Sequence, residues 1–267
     1  MTKNKRPKIG LALGSGGAKG LAHIGIIRVL EKNNIPIDYI AGSSIGALIG
    51  GFYATFKNIN KVEEIALSTN LRQIFSLLDP TIRSGLLSGD KLKKFFEKQI
   101  GKTQFEDLKI PLSAIATDIE TGEMVCLNAG EVALAIRASV SFPLVFKPVK
   151  YKQRQLADGG LSLPVPVKIV KDMGADFIIA VNTEAHYFRN GQSGQNNKIG
   201  FLKIANNSLN ILRYQLSVCA CQEADILITP KLDGNIYWDK FLNAEKIIKA
   251  GEEAAINFLP KIKELIK

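Results

Sequence analysis

One five-residue pattern, Gly42-Ser43-Ser44-Ile45-Gly46, restricts the possible folds of this chain more than any other feature. An apolar dipeptide precedes it, and an uncharged segment with helical spacing follows it. The spacing Gly-x-Ser-x-Gly is typical of a tight strand-to-helix turn, where side chains larger than glycine would collide with neighbouring elements. Such a turn exposes the Ser44 hydroxyl in front of the positive N-terminus of the helix. The pattern also fits an ordinary glycine-rich turn, so other parts of the chain must decide whether Ser44 is a nucleophile.

Short apolar runs alternate with segments of helical periodicity along the whole chain, which predicts an α/β fold with a mostly parallel sheet covered on both faces. Strands are predicted at 8–13, 39–41, 112–119, 124–127, 146–149, 153–157, 176–181 and 225–229. Helices are predicted at 21–32, 44–56, 60–100 with breaks, 131–139, 165–173, 201–222 and 244–267 with an interruption at Pro260. The 60–100 segment fits either a lid or a plain helical layer, and 189–198 has the composition of a surface loop. We expect a single domain over residues 1–267, because no long linker divides the chain.

The composition is that of a globular protein with a strongly basic surface. The formal net charge is +10, which favours anionic partners such as phospholipid headgroups. No basic stripe with interleaved aromatic residues occurs, so nucleic acid is not an expected partner. The three cysteines have no regular spacing and are expected to be free thiols. Neither a signal peptide nor a transmembrane helix is evident, which predicts a cytoplasmic protein.

A second glycine-rich turn is expected after the first strand, at residues 14–20. Several backbone N–H groups can point into one hollow in such a turn and bind an anion, which suits an oxyanion hole. Gly14, Gly16 and Gly20 depart by one residue from the dinucleotide-binding spacing. The acid expected of a nucleotide site would be Asp38, which comes before its strand instead of after it. Lys19 either stabilises this turn, faces an anionic substrate group or is simply solvated.

A nucleophilic serine needs a base, and Asp158 is the main candidate. It precedes two glycines in a turn after a predicted strand, where burial would raise the basicity of its carboxylate. The same pattern also fits an aspartate that only fixes its own turn. Histidine is the usual base, and the order Ser44, Asp158, His186 matches that of α/β-hydrolase triads. His23 follows the glycine-rich turn and is expected to pack there or support it.

Three groups of residues together resemble the patatin-like phospholipases: the turn at 16–20, the turn at 42–46 and the sequence Asp158-Gly159-Gly160. The resemblance extends through 22–25, 116–122 and 137–143, so it covers most of the chain. It implies a three-layer α/β/α fold and lipid acyl hydrolysis by a Ser–Asp dyad without histidine. The roles implied are Ser44 as nucleophile, Asp158 as base, Gly16, Gly17 and Ala18 as oxyanion hole, and Gly14, Lys19, Gly20, Gly42, Gly46, Gly159 and Gly160 as support. Leu163 departs from the family, which often has asparagine before the following proline.

The sequence therefore predicts a serine acyl hydrolase that cleaves phospholipid or lysophospholipid esters without a metal or an organic cofactor. One alternative is an esterase of small soluble esters with a Ser44–Asp158–His186 triad. Another is a lipid- or nucleotide-binding regulator in which the serine turn is catalytically silent. The basic charge also predicts peripheral contact with anionic membranes. The closing helix either docks on a bilayer or packs against the sheet through Ile247, Ile248, Ile256, Phe258 and Leu259.

Overall fold

The structure is a computed structural model that describes residues 6–68, 87–185, 200–232 and 243–266, apart from the side chains of residues 202 and 203. Three predictions fall partly or wholly outside these ranges. They are the surface loop at 189–198, the middle of the helical segment at 60–100, and the base role of His186.

The described strands form one sheet of eight strands, in the order β5-β6-β3-β2-β1-β7-β8, with β4 paired to β3. The strands are β1 (Ile9–Leu13), β2 (Tyr39–Ser43), β3 (Leu112–Asp118), β4 (Met124–Leu127), β5 (Val149–Tyr151), β6 (Arg154–Asp158), β7 (Phe177–Val181) and β8 (Ile226–Ile228). The five neighbouring strands β3, β2, β1, β7 and β8 are parallel. Strands β4 and β6 pair antiparallel with β3, and β5 pairs antiparallel with β6. The predicted mostly parallel sheet is therefore confirmed.

Eight α-helices lie in the described part of the chain. They are α1 (Ala22–Lys32), α2 (Ile45–Phe56), α3 (Ile59–Leu67), α4 (Asp90–Ile100), α5 (Val132–Ser139), α6 (Val167–Asp172), α7 (Phe201–Ala220) and α8 (Ala244–Leu265). Short 3-10 turns at Gly17–Leu21 and Gly159–Leu161 follow two of the strand ends. No helix in these ranges has both the length and the apolar character needed to span a bilayer.

The parallel strands are buried on both faces, as continuous apolar runs require. Leu11 and Ile179 face a large core shared with α1, α2 and α8, whereas Ala12 and Ala180 face a smaller core under α6. Because side chains alternate along a strand, the two cores lie on opposite faces of the sheet. The three-layer α/β/α architecture is therefore confirmed.

Strand β3 brings two distant strands together. Residues 114–115 of β3 pair with both β2 and β4, and residues 116–117 pair with both β4 and β6. Since a strand has two edges, β2 and β6 share one edge of β3. The last residue of β2, Ser43, pairs with Ile115, and the last residue of β6, Asp158, pairs with Ala116. The carboxyl ends of β2 and β6 therefore meet.

Two predicted element bounds are wrong. The strand expected at 146–149 begins only at Val149, because Phe146 instead forms an isolated bridge with Leu87. Helix α8 runs through Pro260 without interruption. Proline removes one helical N–H donor, but buried residues on both sides of it, Ile248 and Ile262, hold the two halves in the core.

Packing against the sheet was one of the two alternatives predicted for the closing helix α8, and the structure shows it packed over the sheet, mainly against α1. Ile247 and Ile248 are buried, whereas Ile256 on the outer face is 55% exposed. The main contact is with α1: a Cβ atom built on Gly25 would lie 2.0 Å from the carbonyl oxygen of Ile248. The helix thus joins the outer helical layer over the sheet and does not present its main apolar face to solvent.

Candidate active site

The turn at Ser44 has the strained geometry that the sequence pattern predicts. Ser44 directly precedes α2 and has φ 56° and ψ −123°, a conformation that costs a non-glycine residue about 1–3 kcal/mol. A Cβ atom on Gly46 would lie 2.2 Å from the carbonyl oxygen of Leu13, and one on Gly42 would lie 2.5 Å from Gly46. Glycine at both positions therefore lets α2 pack tightly against β1 and β2.

The Ser44 hydroxyl and the Asp158 carboxylate lie in direct hydrogen-bond contact. Ser44 Oγ donates to Asp158 Oδ2 at 2.6 Å, although 114 positions separate the two residues. The contact follows from the topology, because β2 and β6 end side by side on one edge of β3. Ser44 is 6% exposed and Asp158 is 1% exposed. A buried hydroxyl–carboxylate pair of this kind can transfer a proton when the serine attacks an electrophile.

The backbone around Asp158 fixes the direction of its carboxylate. Gly160 N–H donates to the other carboxylate oxygen, Oδ1, at 2.8 Å. Thr117 Oγ1 lies 2.9 Å from the carbonyl oxygen of Asp158 and donates to it, and 2.8 Å from Ser162 Oγ. Leu163, the departure from the family pattern, packs its side chain against the core under α6. Thr117 and Ser162 therefore support the Asp158 turn in this chain.

Two further supports come from the end of α5 and went unrecognised in the sequence. Ser44 N–H donates to Ser139 Oγ at 2.9 Å, and Asp158 N–H donates to the carbonyl oxygen of Ser141 at 3.0 Å. One short segment thus holds both members of the pair. The motif at 137–143 had pointed to this region through resemblance alone, without a role for either serine.

The first glycine-rich turn presents backbone donors at the same edge of the sheet. Gly16 and Gly17 have φ values of 151° and 56°, which favour glycine. Both are partly exposed, and within the described ranges their N–H groups have no hydrogen-bond acceptor. The turn packs on the serine turn, because a Cβ atom on Gly20 would lie 2.1 Å from Ile45. Unpaired N–H groups beside a nucleophile are suited to binding an oxyanion.

Lys19 is not the solvated lysine that one interpretation predicted. Its side chain is buried, and burial lowers the pKa of its ammonium group, while the negative charge of Glu184 opposes that shift. Lys19 therefore contributes its charge inside the protein, next to the turn that contains Gly16 and Gly17.

Asp38 does not belong to this site. It lies at the amino end of β2, whereas the glycine-rich turn follows the carboxyl end of the parallel strand β1. Its carboxylate accepts hydrogen bonds from Arg6 at 2.7 Å and from Ile9 N–H at 2.8 Å. The arrangement gives Asp38 a structural role and removes the acid that a nucleotide site would need here.

His23 supports the glycine-rich turn, as one of the two interpretations predicted. Its Nε2 lies 2.7 Å from the carbonyl oxygen of Gly14, so this nitrogen carries the proton and donates. Within the described residues its Nδ1 has no partner. Complete burial lowers the pKa of His23 to about 4, which keeps the ring neutral.

The buried His23 is expected to make the protein less stable in acid. The unfolded chain binds a proton near pH 6.5, whereas folded His23 binds one only near pH 4. The free energy of unfolding should therefore fall as pH decreases from about 6.5 to about 4, by roughly 2–3 kcal/mol. Urea unfolding of wild type and His23→Gln across this pH range measures the difference between their free energies of unfolding. The titration of all other groups is common to both proteins and cancels in this difference. A difference that does not change with pH would contradict the neutral, buried ring.

An ion pair between Arg213 and Glu184 lies beneath the site. Arg213 on α7 donates to Glu184, which follows β7, and both side chains are buried. Ser15 Oγ of the glycine-rich turn also lies 3.4 Å from Glu184 Oε1. A Cβ atom on Gly160 would lie 3.0 Å from Arg213 Nε, so the guanidinium borders the Asp158 turn. The pair thus joins the turns after β1, β6 and β7 to α7.

The charges around Asp158 oppose each other. Burial raises the pKa of the Asp158 carboxyl above its ordinary value, and the nearby charge of Glu184 adds to this. The positive charge of Arg213 and the hydrogen bonds from Ser44 and Gly160 lower it, without cancelling the effect of burial. A carboxylate with a raised pKa is a stronger base than an exposed one, which suits proton abstraction from a hydroxyl.

Comparison with known proteins agrees with the fold and the motifs. The profile of the family described as patatin-like phospholipase matches residues 11–171, more than half of the chain. An uncharacterised NTE family protein of Mycobacterium tuberculosis is 41% identical over 177 residues, which cover 66% of this chain and 49% of that protein. The lysophospholipase NTE1 of Scheffersomyces stipitis is 34% identical over 180 residues, which cover 65% of this chain and 12% of that protein.

The matched region thus spans about half the length of the mycobacterial relative. Among solved structures, VipD from Legionella pneumophila aligns with a TM-score of 0.55 at 12% identity, over 96% of this chain and 67% of that one. Identity this low supports the fold alone. The extent of the family match, together with the three motifs at one edge of the sheet, leads to one assignment: the chain belongs to the patatin-like phospholipase family.

Proposed function

We propose that this protein is a serine acyl hydrolase that releases fatty acids from phospholipids or lysophospholipids, with Ser44 as nucleophile and Asp158 as base. The observation that carries the proposal is the 2.6 Å hydrogen bond from Ser44 Oγ to Asp158 Oδ2 in a buried pair. Membership of the patatin-like phospholipase family supports the lipid substrate. So does the likeness to a relative named as a lysophospholipase.

In the first half-reaction, Ser44 Oγ attacks the ester carbonyl carbon as its proton passes to Asp158 Oδ2. The carbonyl oxygen becomes an oxyanion, and the N–H groups of Gly16, Gly17 and Ala18 donate to it. Removal of one such donor typically costs about 2.7–4 kcal/mol of barrier. The tetrahedral intermediate then collapses. The bond to the leaving alcohol breaks, Asp158 returns the proton to that oxygen, and an acyl-enzyme remains on Ser44.

In the second half-reaction, a water molecule attacks the acyl carbon and gives one proton to Asp158. The second tetrahedral intermediate collapses with release of the fatty acid, and Asp158 returns the proton to Ser44 Oγ. The carboxylate acts as base and then as acid in each half, so no other titrating group is needed. The chemistry as proposed uses neither a metal ion nor an organic cofactor.

The proposal predicts a specific pattern in a lipid panel. The wild-type protein should release fatty acid from phospholipid or lysophospholipid, and Ser44→Ala should lower turnover at least 10³-fold. Ser43→Ala is the matched control. Ser43 is the residue before the nucleophile, and its hydroxyl is buried with no hydrogen-bond partner in the described part of the chain. This control should retain wild-type turnover. Fatty-acid release from phospholipid, lysophospholipid and triglyceride, measured side by side, also identifies the preferred substrate.

Two other outcomes would identify the alternative functions. Loss of turnover in His186→Gln to the level of Ser44→Ala, with small soluble esters preferred over lipids, would favour the triad esterase. Failure of a fluorophosphonate probe to label Ser44 in folded wild-type protein would favour the silent binding regulator. The proposal instead requires Ser44 to be labelled and His186→Gln to remain active.

A further inference from the structure

Helix α7 has the reverse of the usual amphipathic pattern. The buried residues among the described side chains of this helix, Asn210, Arg213 and Ser217, are all polar and follow the spacing i, i+3, i+7. Its exposed residues include six large apolar side chains that are 40% to 81% exposed: Phe201, Ile204, Ile211, Leu212, Leu216 and Val218. At about 100° per residue these six fall within roughly 160° of the helix circumference. They lie on one side of the helix, together with the exposed polar residues Ser208 and Gln215, and we call this side the α7 apolar face.

The buried polar residues attach α7 to the catalytic edge of the sheet. Arg213 pairs with Glu184 and borders Gly160, next to Asp158. Ser217 Oγ accepts a hydrogen bond from Asn182 Nδ2 at 3.0 Å, just after the end of β7. The helix therefore lies beside the active site with its polar side inward and its apolar side outward. Soluble proteins rarely expose this many large apolar side chains on one side of a helix unless that side contacts a partner or a membrane.

We infer that the α7 apolar face is the surface through which this protein docks on a phospholipid bilayer, with the helix lying in the interfacial plane. The inference rests on the proposed function, since it names the surface from which a lipid substrate would reach Ser44. A helix with one apolar face and an otherwise polar surface binds membranes in this orientation.

Charge favours a bilayer over a second copy of the chain. Residues 200–222 contain no Asp or Glu, although the chain has 25 acidic residues, and their two basic residues are Lys203 and Arg213, of which Arg213 is buried and paired with Glu184. No carboxylate of this segment would therefore repel anionic headgroups. Two copies that met through this face would bring together two chains of formal net charge +10, which repel each other. The occupant that fits both the apolar side chains and the charge is an anionic lipid surface.

Vesicle binding by paired variants tests the inference. Leu212→Glu changes the α7 apolar face, and Ile256→Glu makes the same type of change at a similarly exposed residue on α8. Both are made in the Ser44→Ala background, so that binding is measured without turnover. Sedimentation with vesicles of phosphatidylcholine and phosphatidylglycerol should show about tenfold or greater weakening for Leu212→Glu and wild-type binding for Ile256→Glu.

A second measurement reports the face directly. Cys219 is exposed on α7, in line with the apolar residues, and Cys221 is buried. A polarity-sensitive dye on Cys219, with Cys126 changed to serine, should shift to the blue when vesicles are added. Equal vesicle binding by the two glutamate variants, or an unchanged dye spectrum, would overturn the inference. So would a dimer in solution that Leu212→Glu dissociates and Ile256→Glu does not.

The same variants separate this inference from the proposed function. With Ser44 restored, Leu212→Glu should hydrolyse a short-chain soluble ester at the wild-type rate and lipid vesicles about tenfold more slowly. Absence of hydrolysis of every ester by wild-type protein would contradict the proposed function, whereas vesicle binding would still test the face. Equal rates of vesicle hydrolysis in Leu212→Glu and wild type would contradict the docking surface alone.

Discussion

Replacing Asp158 by asparagine is expected to lower kcat/KM for fatty-acid release by about 10³- to 10⁴-fold and to leave the protein folded. Asparagine keeps an oxygen that accepts from Gly160 N–H, but it cannot take the proton that Ser44 must lose. Ser44 would then face an amide, and its hydroxyl would attack without a base. Steady-state turnover of a lipid ester and of a soluble ester measures the loss.

Stability should change in the opposite direction to activity. Burial raises the pKa of Asp158, so the ionised carboxylate lowers the free energy of unfolding at every pH above that raised value. The neutral amide removes this cost, and we expect Asp158→Asn to unfold at an equal or higher temperature than wild type at pH 7. Asp172→Asn, an exposed carboxylate on α6, is the control and should retain full activity. Retention of more than a tenth of wild-type turnover by Asp158→Asn would contradict its role as base.

The local chemistry of the site was predictable, because short sequence patterns determine it. The turn at Ser44 requires glycine two residues before and two residues after the serine, where other side chains would meet backbone atoms. The alternating apolar and glycine-rich segments likewise predict which turns lie at the carboxyl edge of the sheet. These patterns depend on neighbouring residues in the chain, so a single sequence is sufficient to find them.

The contact between Ser44 and Asp158 depends on topology that the sequence does not state. It needs β6 to turn antiparallel and to share an edge of β3 with β2. Nothing in the composition of residues 153–157 fixes that direction. The turn pattern alone made Asp158 the main candidate base, whereas the resemblance to a known family carried the prediction that it pairs with Ser44 without a histidine.

Arg213 and Glu184 were missed for a different reason. A charged residue in a helix is usually solvated, and Arg213 is the only charged residue between 204 and 222. The signal that would have revealed it is the stripe of Asn210, Arg213 and Ser217 opposite apolar residues. A helix with this pattern buries its polar side, which places an arginine where it needs an acidic partner.

The second large expected effect concerns this pair. Arg213→Met should lower the free energy of unfolding by about 3–5 kcal/mol, because it leaves the Glu184 carboxylate buried without its partner. The double variant Arg213→Met with Glu184→Gln removes the unpaired charge and should recover a substantial part of the loss. Lys171→Met is the control, since Lys171 forms an exposed ion pair with Glu223 that contributes about 0–1 kcal/mol. Urea unfolding of the four proteins measures these differences.

The pH dependence of activity distinguishes an electrostatic role of the pair from a purely structural one. Asp158 accepts a proton only when ionised, so kcat/KM should rise with pH through its raised pKa and then level off. Arg213 lowers that pKa and Glu184 raises it. The acidic limb should therefore move to higher pH in Arg213→Met and to lower pH in Glu184→Gln, whereas Arg213→Lys should keep it near the wild-type position. If the pair had only a structural role, Arg213→Met and Glu184→Gln would both lower kcat/KM, but the low-pH sides of their pH profiles would not move in opposite directions.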